Sequence, residues 1–283
     1  MDLDATLAHF DREQRVEIEP PGMRREADDD VVRLIDLSAH RSCIVHSRLT
    51  ADRVERVVQG EIDRFETLGH DLEWKVYSHD NPADLKDRLL ARGFVAEETE
   101  AIMVLDLTEQ ESESGSGSPP WRSSRPGGFP RRDAHEVRRI TDPEAIGDVI
   151  SVNARVWNED NSWLNRKLAH DLGNTPDQIS VYVAYVDGKP VSSAWMYFTP
   201  HSQFASLWGG STLPEFRKRG LYSALLEARI VEARQRGIRF LTIDAMSMSR
   251  PIVAKFGFQI LTHATGCVWK VVTAPDQRTG ARP

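Results

Sequence analysis

The sequence predicts an α/β protein, a mixed sheet flanked by helices, built in two successive parts. Three observations predict it. Strand-like and helix-like stretches alternate through residues 131–275. Residues 109–130, EQESESGSGSPPWRSSRPGGFP, are rich in Ser, Gly and Pro and nearly without apolar side chains. Burial cannot offset the entropy of ordering such a stretch, so it reads as a linker. The part before it ends on a pattern that the second part repeats. KVYSHDNPADLKDRLLARGF and TIDAMSMSRPIVAKFGF both run strand, polar turn, short helix, Gly-Phe and closing strand, the mark of an internal duplication. The expected domains are 1–108, the linker 109–130, a second domain over 131–275 and a polar tail at 276–283.

In the first part, residues 1–30 carry ten acids against four arginines, a balance of −6, and read as a solvated segment. Val54, Val57, Val58, Ile62, Phe65 and Leu68 share one helical face. A strand follows over 72–77, then a helix over 82–91, Gly93-Phe94, and a strand over 101–107. In the second part, Thr141-Asp142-Pro143-Glu144 combines a capping box with a proline in the first turn, so a helix starts there and runs to about Trp157. Trp163, Leu164, Leu168 and Leu172 suit a second, short helix. Ile179–Val186 alternates as a strand, Asp187-Gly188 is a hairpin turn, and 190–198 is the return strand. A further strand over 202–212 is broken by Gly209-Gly210. Leu221, Leu225, Ile230 and Ala233 mark a helix ending near Gly237, and 238–245 is an apolar strand. After Gly257-Phe258, two strands at about 258–263 and 266–273 close the domain.

Composition narrows the function classes. The 283 residues are 40% hydrophobic and 28% charged, as a chain with packed cores requires. Two cysteines, Cys43 and Cys267, exclude a disulfide scaffold. No apolar run approaches the ~20 residues of a membrane span. The start, MDLDATLAHFDREQ, lacks the apolar core of a secretory leader, so a cytoplasmic location is expected. The net charge of −7 and the absence of a nucleic-acid motif speak against nucleic acid. That average conceals a local surplus: residues 217–239 hold seven cations and two acids, a balance of +5.

The surplus begins at the sharpest motif, Leu213-Pro214-Glu215-Phe216-Arg217-Lys218-Arg219-Gly220-Leu221-Tyr222-Ser223. It follows a strand and opens a helix. That junction presents backbone N–H groups and the positive helix end, a glycine allows close approach, and the cations add charge-assisted bonds. It is an anion cradle suited to a pyrophosphate. It is neither a Walker loop nor a dinucleotide fingerprint, because G-x-x-x-x-G-K-[ST] and G-x-G-x-x-G are both missing.

Strand, Leu-Pro-x-x-Arg-x-x-Gly, long helix, strand, short helix and Gly-Phe together resemble the acetyl-coenzyme A signature of the GCN5-related N-acetyltransferases (GNAT). The resemblance covers about 135–273, and the first part resembles only the C-terminal portion of that fold. It implies a tandem GNAT fold with a truncated, degenerate N-terminal copy. It also implies that Thr212 and Leu213 offer backbone groups to the pantetheine arm and thioester carbonyl, with Ser211 among the coenzyme-binding residues, in a gap where the strand splays from its neighbour. Arg217, Lys218, Arg219, Gly220, Leu221, Tyr222 and Ser223 would then hold the pyrophosphate. Acetyl-coenzyme A is the implied cosubstrate, and no metal is expected.

The chain departs from the family twice. Tyr222 stands at the second small position of R/Q-x-x-G-x-G/A. Met246 and Val253 stand where family members often carry an Asn and the Tyr that protonates the leaving thiolate. Ser249 or Ser247 is left to hydrogen-bond the sulfur, or solvent protonates it. Asp244, ending its strand beside the cleft, is the candidate general base; a cap for the following turn is its other reading. Trp157, Glu159 and Asp160 border the acceptor in this family and suit a cationic amine by charge and cation–π attraction; the acids equally suit a helix cap. When Trp74 is matched to Leu241, Thr50, Arg53 and Glu55 fall opposite Arg217, Gly220 and Tyr222, which makes the first part a non-binding copy. The expected function is direct acetyl transfer to the amine of a small molecule held between the two parts, with the oxyanion on backbone N–H near Leu213. The alternative is a coenzyme-binding sensor with little turnover.

Overall fold

The computed structural model describes residues 1–37, 41–108, 135–158 and 161–271. The expected linker at 109–130, the tail at 276–283, and Glu159 and Asp160 lie outside the described residues. In chain order the elements are α1 (Leu3–Phe10), a π-helical turn (Asp11–Val16), β1 (Met23–Ala27), β2 (Val31–Asp36), β3 (Arg41–Ser47), α2 (Val54–Leu68), β4 (Asp71–Tyr77), α3 (Leu85–Ala91), β5 (Val95–Ala96) and β6 (Glu100–Asp106). There follow β7 (His135–Ile140), α4 (Gly147–Trp157), α5 (Ser162–Asn174), β8 (Ile179–Val186), β9 (Lys189–Phe198), β10 (Phe204–Thr212), α6 (Leu221–Gln235), β11 (Phe240–Ala245), α7 (Arg250–Ala254) and β12 (Gln259–Trp269).

These elements form two compact units, one of Met1–Gly22 with Thr99–His263, the other of Met23–Glu98 with the residues from Ala264. The units differ from the division at 108 and 131 expected from chain order. β6, the last strand of the first part, pairs antiparallel with β11, from Phe240↔Asp106 to Ala245↔Ala101. The closing segment is one strand, not two, and from Ala264 it pairs with β4. Both differences have one cause: strand partners are chosen by long-range register and burial, which chain order does not encode.

In the unit of residues 23–98, β1, β2 and β3 pair antiparallel and β3 runs parallel to β4. α2 buries Val54, Val58, Ile62 and Phe65 in one core with Ile44, Leu72 and Trp74, the face read from the sequence. Gly69 ends the helix in the left-handed conformation, φ +71°. Inside this unit Arg33 sits in a bidentate grip with Glu61; its Nε donates to Glu61 Oε2 at 2.6 Å, and both side chains are buried. Without Glu61, Arg33 keeps only the half-exposed Asp28 at 2.8 Å, and most of its buried charge loses its counter-ion. Glu61→Gln is therefore expected to lower the unfolding free energy by about 3 kcal/mol in urea titration. A change under about 0.5 kcal/mol would assign the pair no structural role.

In the other unit the strand order is β12, β6, β11, β10, β9, β8, β7. β8, β9 and β10 pair antiparallel and β10 runs parallel to β11 across α6. This repeats the order β2, β3, α2, β4, so the expected duplication is visible in topology. α6 buries Leu226, Ile230 and Ala233 against Leu207, Leu241 and Ile243 on one face of the sheet. α5 buries Leu164, Leu168 and Leu172 in a separate core with Val181, Val183 and Trp195. Local signals hold in detail. Asp142 caps the Glu144 N–H at 2.9 Å, and Asp187 and Gly188 turn the hairpin at positive φ. The acidic start is folded rather than merely solvated: Asp2 caps α1, and Thr6 and Phe10 are buried. No helix among the described residues is long and apolar enough to cross a membrane.

Candidate active site

The site begins where β10 leaves β11. The two strands pair over four residues, from Phe204↔Phe240 to Leu207↔Ile243, and no further. On its other edge β10 stays paired with β9, but the register shifts between Trp208 and Ser211, so Gly209 and Gly210 oppose a single residue. This is the bulge that the two glycines predict. Two aromatic rings make glycine necessary there. A Cβ on Gly209, at φ +62°, would stand 1.8 Å from the Trp195 ring. A Cβ on Gly210 would stand 2.6 Å from Cε2 of Tyr222. Trp195 belongs to the α5 core and Tyr222 packs on the α6 core, so the bulge is clamped from both faces.

Past the bulge, the backbone of β10 sorts the expected site residues. Leu213 donates its N–H to the Val191 carbonyl at 3.0 Å, accepts from Phe216 N–H at 2.9 Å, and buries its side chain. Both backbone groups of Leu213 are thus engaged, which corrects the expectation that it faces the thioester. Ser211 also turns into the sheet: its carbonyl accepts from Ser192 Oγ at 2.8 Å. Because Leu213 and Val191 are a hydrogen-bonded pair, alternation makes Thr212 and Ser192 a non-hydrogen-bonded one. The Thr212 N–H therefore points to the edge that β11 has left.

The cradle follows directly. Pro214–Phe216 forms a 3₁₀ turn, Lys218 (φ +63°) and Gly220 (φ +85°) both adopt the left-handed conformation, and α6 starts at Leu221 with no side chain capping it. The first intrahelical bond runs from Ala224 N–H to the Gly220 carbonyl. The N–H groups of Leu221, Tyr222 and Ser223 consequently have no acceptor within the helix. Arg217, Lys218 and Arg219 stand exposed around them. Arg217 Nε reaches the Thr212 carbonyl at 3.2 Å, and Arg219 lies over the Phe216 ring while reaching the Glu215 carbonyl at 3.2 Å. Uncapped N–H groups, a positive helix end and three cations can hold a pyrophosphate.

The family model described as "Acetyltransferase (GNAT) family" matches residues 136–258, the stretch that carries this cleft and cradle. Those residues are thus similar to a GNAT acetyltransferase domain. No curated protein matches the chain. Among solved structures, a GCN5-related N-acetyltransferase from Kribbella flavida is 15% identical at TM-score 0.61, over 94% of this chain and 93% of its own. A tandem GNAT protein from the clavulanic acid biosynthesis pathway is 12% identical at TM-score 0.56, over 97% and 89%. A functionally unknown conserved protein from Staphylococcus epidermidis is 13% identical at TM-score 0.62, over 91% and 97%. At these identities the likeness is one of fold.

The matched domain presents its other expected residues unevenly. Asp244 follows the last β10–β11 pair and faces Ile102 on β6. Its neighbours Ile243 and Ala245 point into the α6 core, so alternation sends Asp244 to the opposite face, at the mouth of the gap. Trp157, half-exposed at the end of α4, donates Nε1–H to Ser211 Oγ at 3.0 Å, and Ser211 Oγ reaches the buried Asn153 at 3.3 Å. This network fastens α4 to the bulge. Trp208, 47% exposed, shares the face of Asp244 and was not singled out from the sequence, since an exposed indole on a strand carries no local signal. Ser249 is placed differently from the expectation: its hydroxyl reaches the Met246 carbonyl at 3.2 Å and shapes the turn into α7. Val253 is fully buried. Among the described residues no group of three His, Cys, Asp or Glu could hold a metal ion.

Proposed function

We propose that the GNAT domain moves an acetyl group directly from acetyl-coenzyme A to the amine of a small molecule. The observation that carries this reading is the parting of β10 and β11 at the Gly209–Gly210 bulge, immediately before the uncapped start of α6. The helix start and Arg217, Lys218 and Arg219 hold the pyrophosphate. The pantetheine arm enters the gap, and the Thr212 N–H takes the thioester carbonyl and the negative charge that grows on its oxygen. Asp244, at the mouth of the gap, removes a proton from the attacking amine. The half-exposed indoles of Trp157 and Trp208 favour a cationic acceptor.

Calorimetry tests the coenzyme half of this reading. Arg219→Glu is expected to weaken acetyl-coenzyme A binding by roughly 10–100-fold, the worth of one charge-assisted contact, without changing the melting temperature. Unchanged affinity in a folded variant would place the pyrophosphate elsewhere. A second reading, a coenzyme-binding module with little turnover, is favoured by Val253 and by the engaged hydroxyl of Ser249. It is supported if acetyl-coenzyme A binds tightly yet no free thiol is released across a panel of amines.

A further inference from the structure

The two glycines of the bulge permit it, but they do not choose the register that follows it. Before the bulge Trp208 faces Trp195, and after it Ser211 faces Ser193, which leaves Ala194 alone opposite both glycines. Without the bulge the ladder would run on by one residue: Gly210 would face Ser193, Ser211 would face Ser192, and Thr212 would face Val191. That slip turns every later side chain to the other face of the sheet. It also gives the Val191 carbonyl to the Thr212 N–H, in place of the Leu213 N–H that it accepts from here. The register past the bulge therefore decides whether the Thr212 N–H faces the gap.

One buried side chain reads that register. Asn153, on α4, uses both amide hydrogens, one on the Val149 carbonyl at 3.0 Å and one on Ser193 Oγ at 3.0 Å. Its Oδ1 accepts from Ser211 Oγ at 3.3 Å. The bond to its own helix fixes which end of the amide is nitrogen. Ser193 and Ser211 are the first pair beyond the bulge, so a single carboxamide spans that pair, donating to β9 and accepting from β10. Asn153, Ser193 and Ser211 are all buried. After a slip, a glycine would stand opposite Ser193, and Asn153 Oδ1 would lose its donor. On the opposite face Ser192 Oγ meets Thr212 Oγ1 at 2.7 Å. A slip would set Ser192 against Ser211, another hydroxyl, so that face discriminates little between the registers. We infer that Asn153 is a positioning residue: it holds β10 in the bulged register and so keeps the Thr212 N–H turned to the gap. A buried carbonyl oxygen left without its donor disfavours the slipped register by roughly 10–100-fold.

The part this lock plays in the reaction rests on the acetyl-coenzyme A reading, and amide hydrogen exchange tests the lock without any ligand. NMR on the full chain follows two neighbouring amides. In wild type the Leu213 N–H, bonded to Val191, is expected to exchange at least about 10²-fold more slowly than the Thr212 N–H. In Asn153→Leu, close in size but without a polar side-chain atom, that contrast is expected to fall by at least about tenfold, Thr212 gaining protection as Leu213 loses it. Ser211→Ala removes only the hydroxyl that Asn153 Oδ1 reads; it is expected to shift both amides in the same directions, and it carries the test if the larger change unfolds the chain. Calorimetry reads the consequence: Asn153→Leu is expected to bind acetyl-coenzyme A roughly tenfold more weakly than wild type, the worth of the one hydrogen bond from Thr212. An unchanged contrast in both variants, or equal acceleration of both amides, would make Asn153 a structural residue alone and overturn the lock. A lost contrast in a protein whose wild type binds no acetyl-coenzyme A would overturn the coenzyme reading and leave the lock standing.

Discussion

Gly209→Ala is expected to lower the unfolding free energy by about 2–5 kcal/mol and to abolish acetyl-coenzyme A binding at concentrations that saturate wild type. Two costs add. At φ +62° an L-residue loses about 1–2 kcal/mol relative to glycine. The new methyl group would also lie inside the Trp195 ring, 1.8 Å from Cζ3, and forcing such a contact into a packed core costs about 1–3 kcal/mol. Trp195 cannot withdraw cheaply, because it is buried in the core that α5 forms with β8. The chain must instead straighten the bulge, which re-pairs β10 and turns the Thr212 N–H away from the gap. Gly188→Ala is the control. It too has positive φ, +73°, but open space around it, so only the first cost applies. Denaturant titration and calorimetry on both variants decide the matter. Equal losses in the two would mean that the Trp195 contact sets nothing.

Much of this was legible in the sequence because it is local. The apolar face of 54–68, the Asp187-Gly188 hairpin and the strand–cradle–helix junction at 213–223 are written in neighbouring residues, and the structure reproduces each. The paired glycines at 209–210 announced a bulge, though not which rings would clamp it. What the sequence concealed is long-range. Nothing in 100–106 says that it pairs with 240–245 rather than with its own half, since any apolar strand of that length fits either edge. β1 escaped detection for a different reason. Met23–Ala27 reads MRREA, without apolar alternation, because it is an edge strand whose charges pair at the surface: Arg24 with Glu26, and Arg64 of α2 with Glu26. Leu213 shows the limit within the site itself. Its place in the motif matches the family, but which neighbour of Thr212 offers an N–H to the gap depends on strand parity after the bulge. Two residues opposite one reset that parity, and only the paired structure reveals the count.

The same parity argument gives the remaining large effect. Asp244→Asn is expected to lower kcat for amine acetylation by about 10²–10⁴-fold while leaving acetyl-coenzyme A affinity within about twofold. The carboxylate and the Thr212 N–H reach the gap from different strands: Thr212 from the edge that β10 keeps, Asp244 from β11 just beyond the last shared pair. On the proposed reading, an acyl carbon held at the first is attacked from the face that the second occupies. Asparagine preserves the size and hydrogen-bonding reach of the side chain, so any turn that Asp244 caps survives, and the melting temperature reports whether it does. Loss of the base then appears in kcat. Loss of mere attraction for a cationic acceptor appears in KM for the amine, and would be relieved by a neutral, weakly basic amine such as an aniline. A kcat within about threefold of wild type for a cationic amine would remove Asp244 from the chemistry. The proton would then have to leave by water, which the gap admits because β10 and β11 never close beyond Leu207 and Ile243.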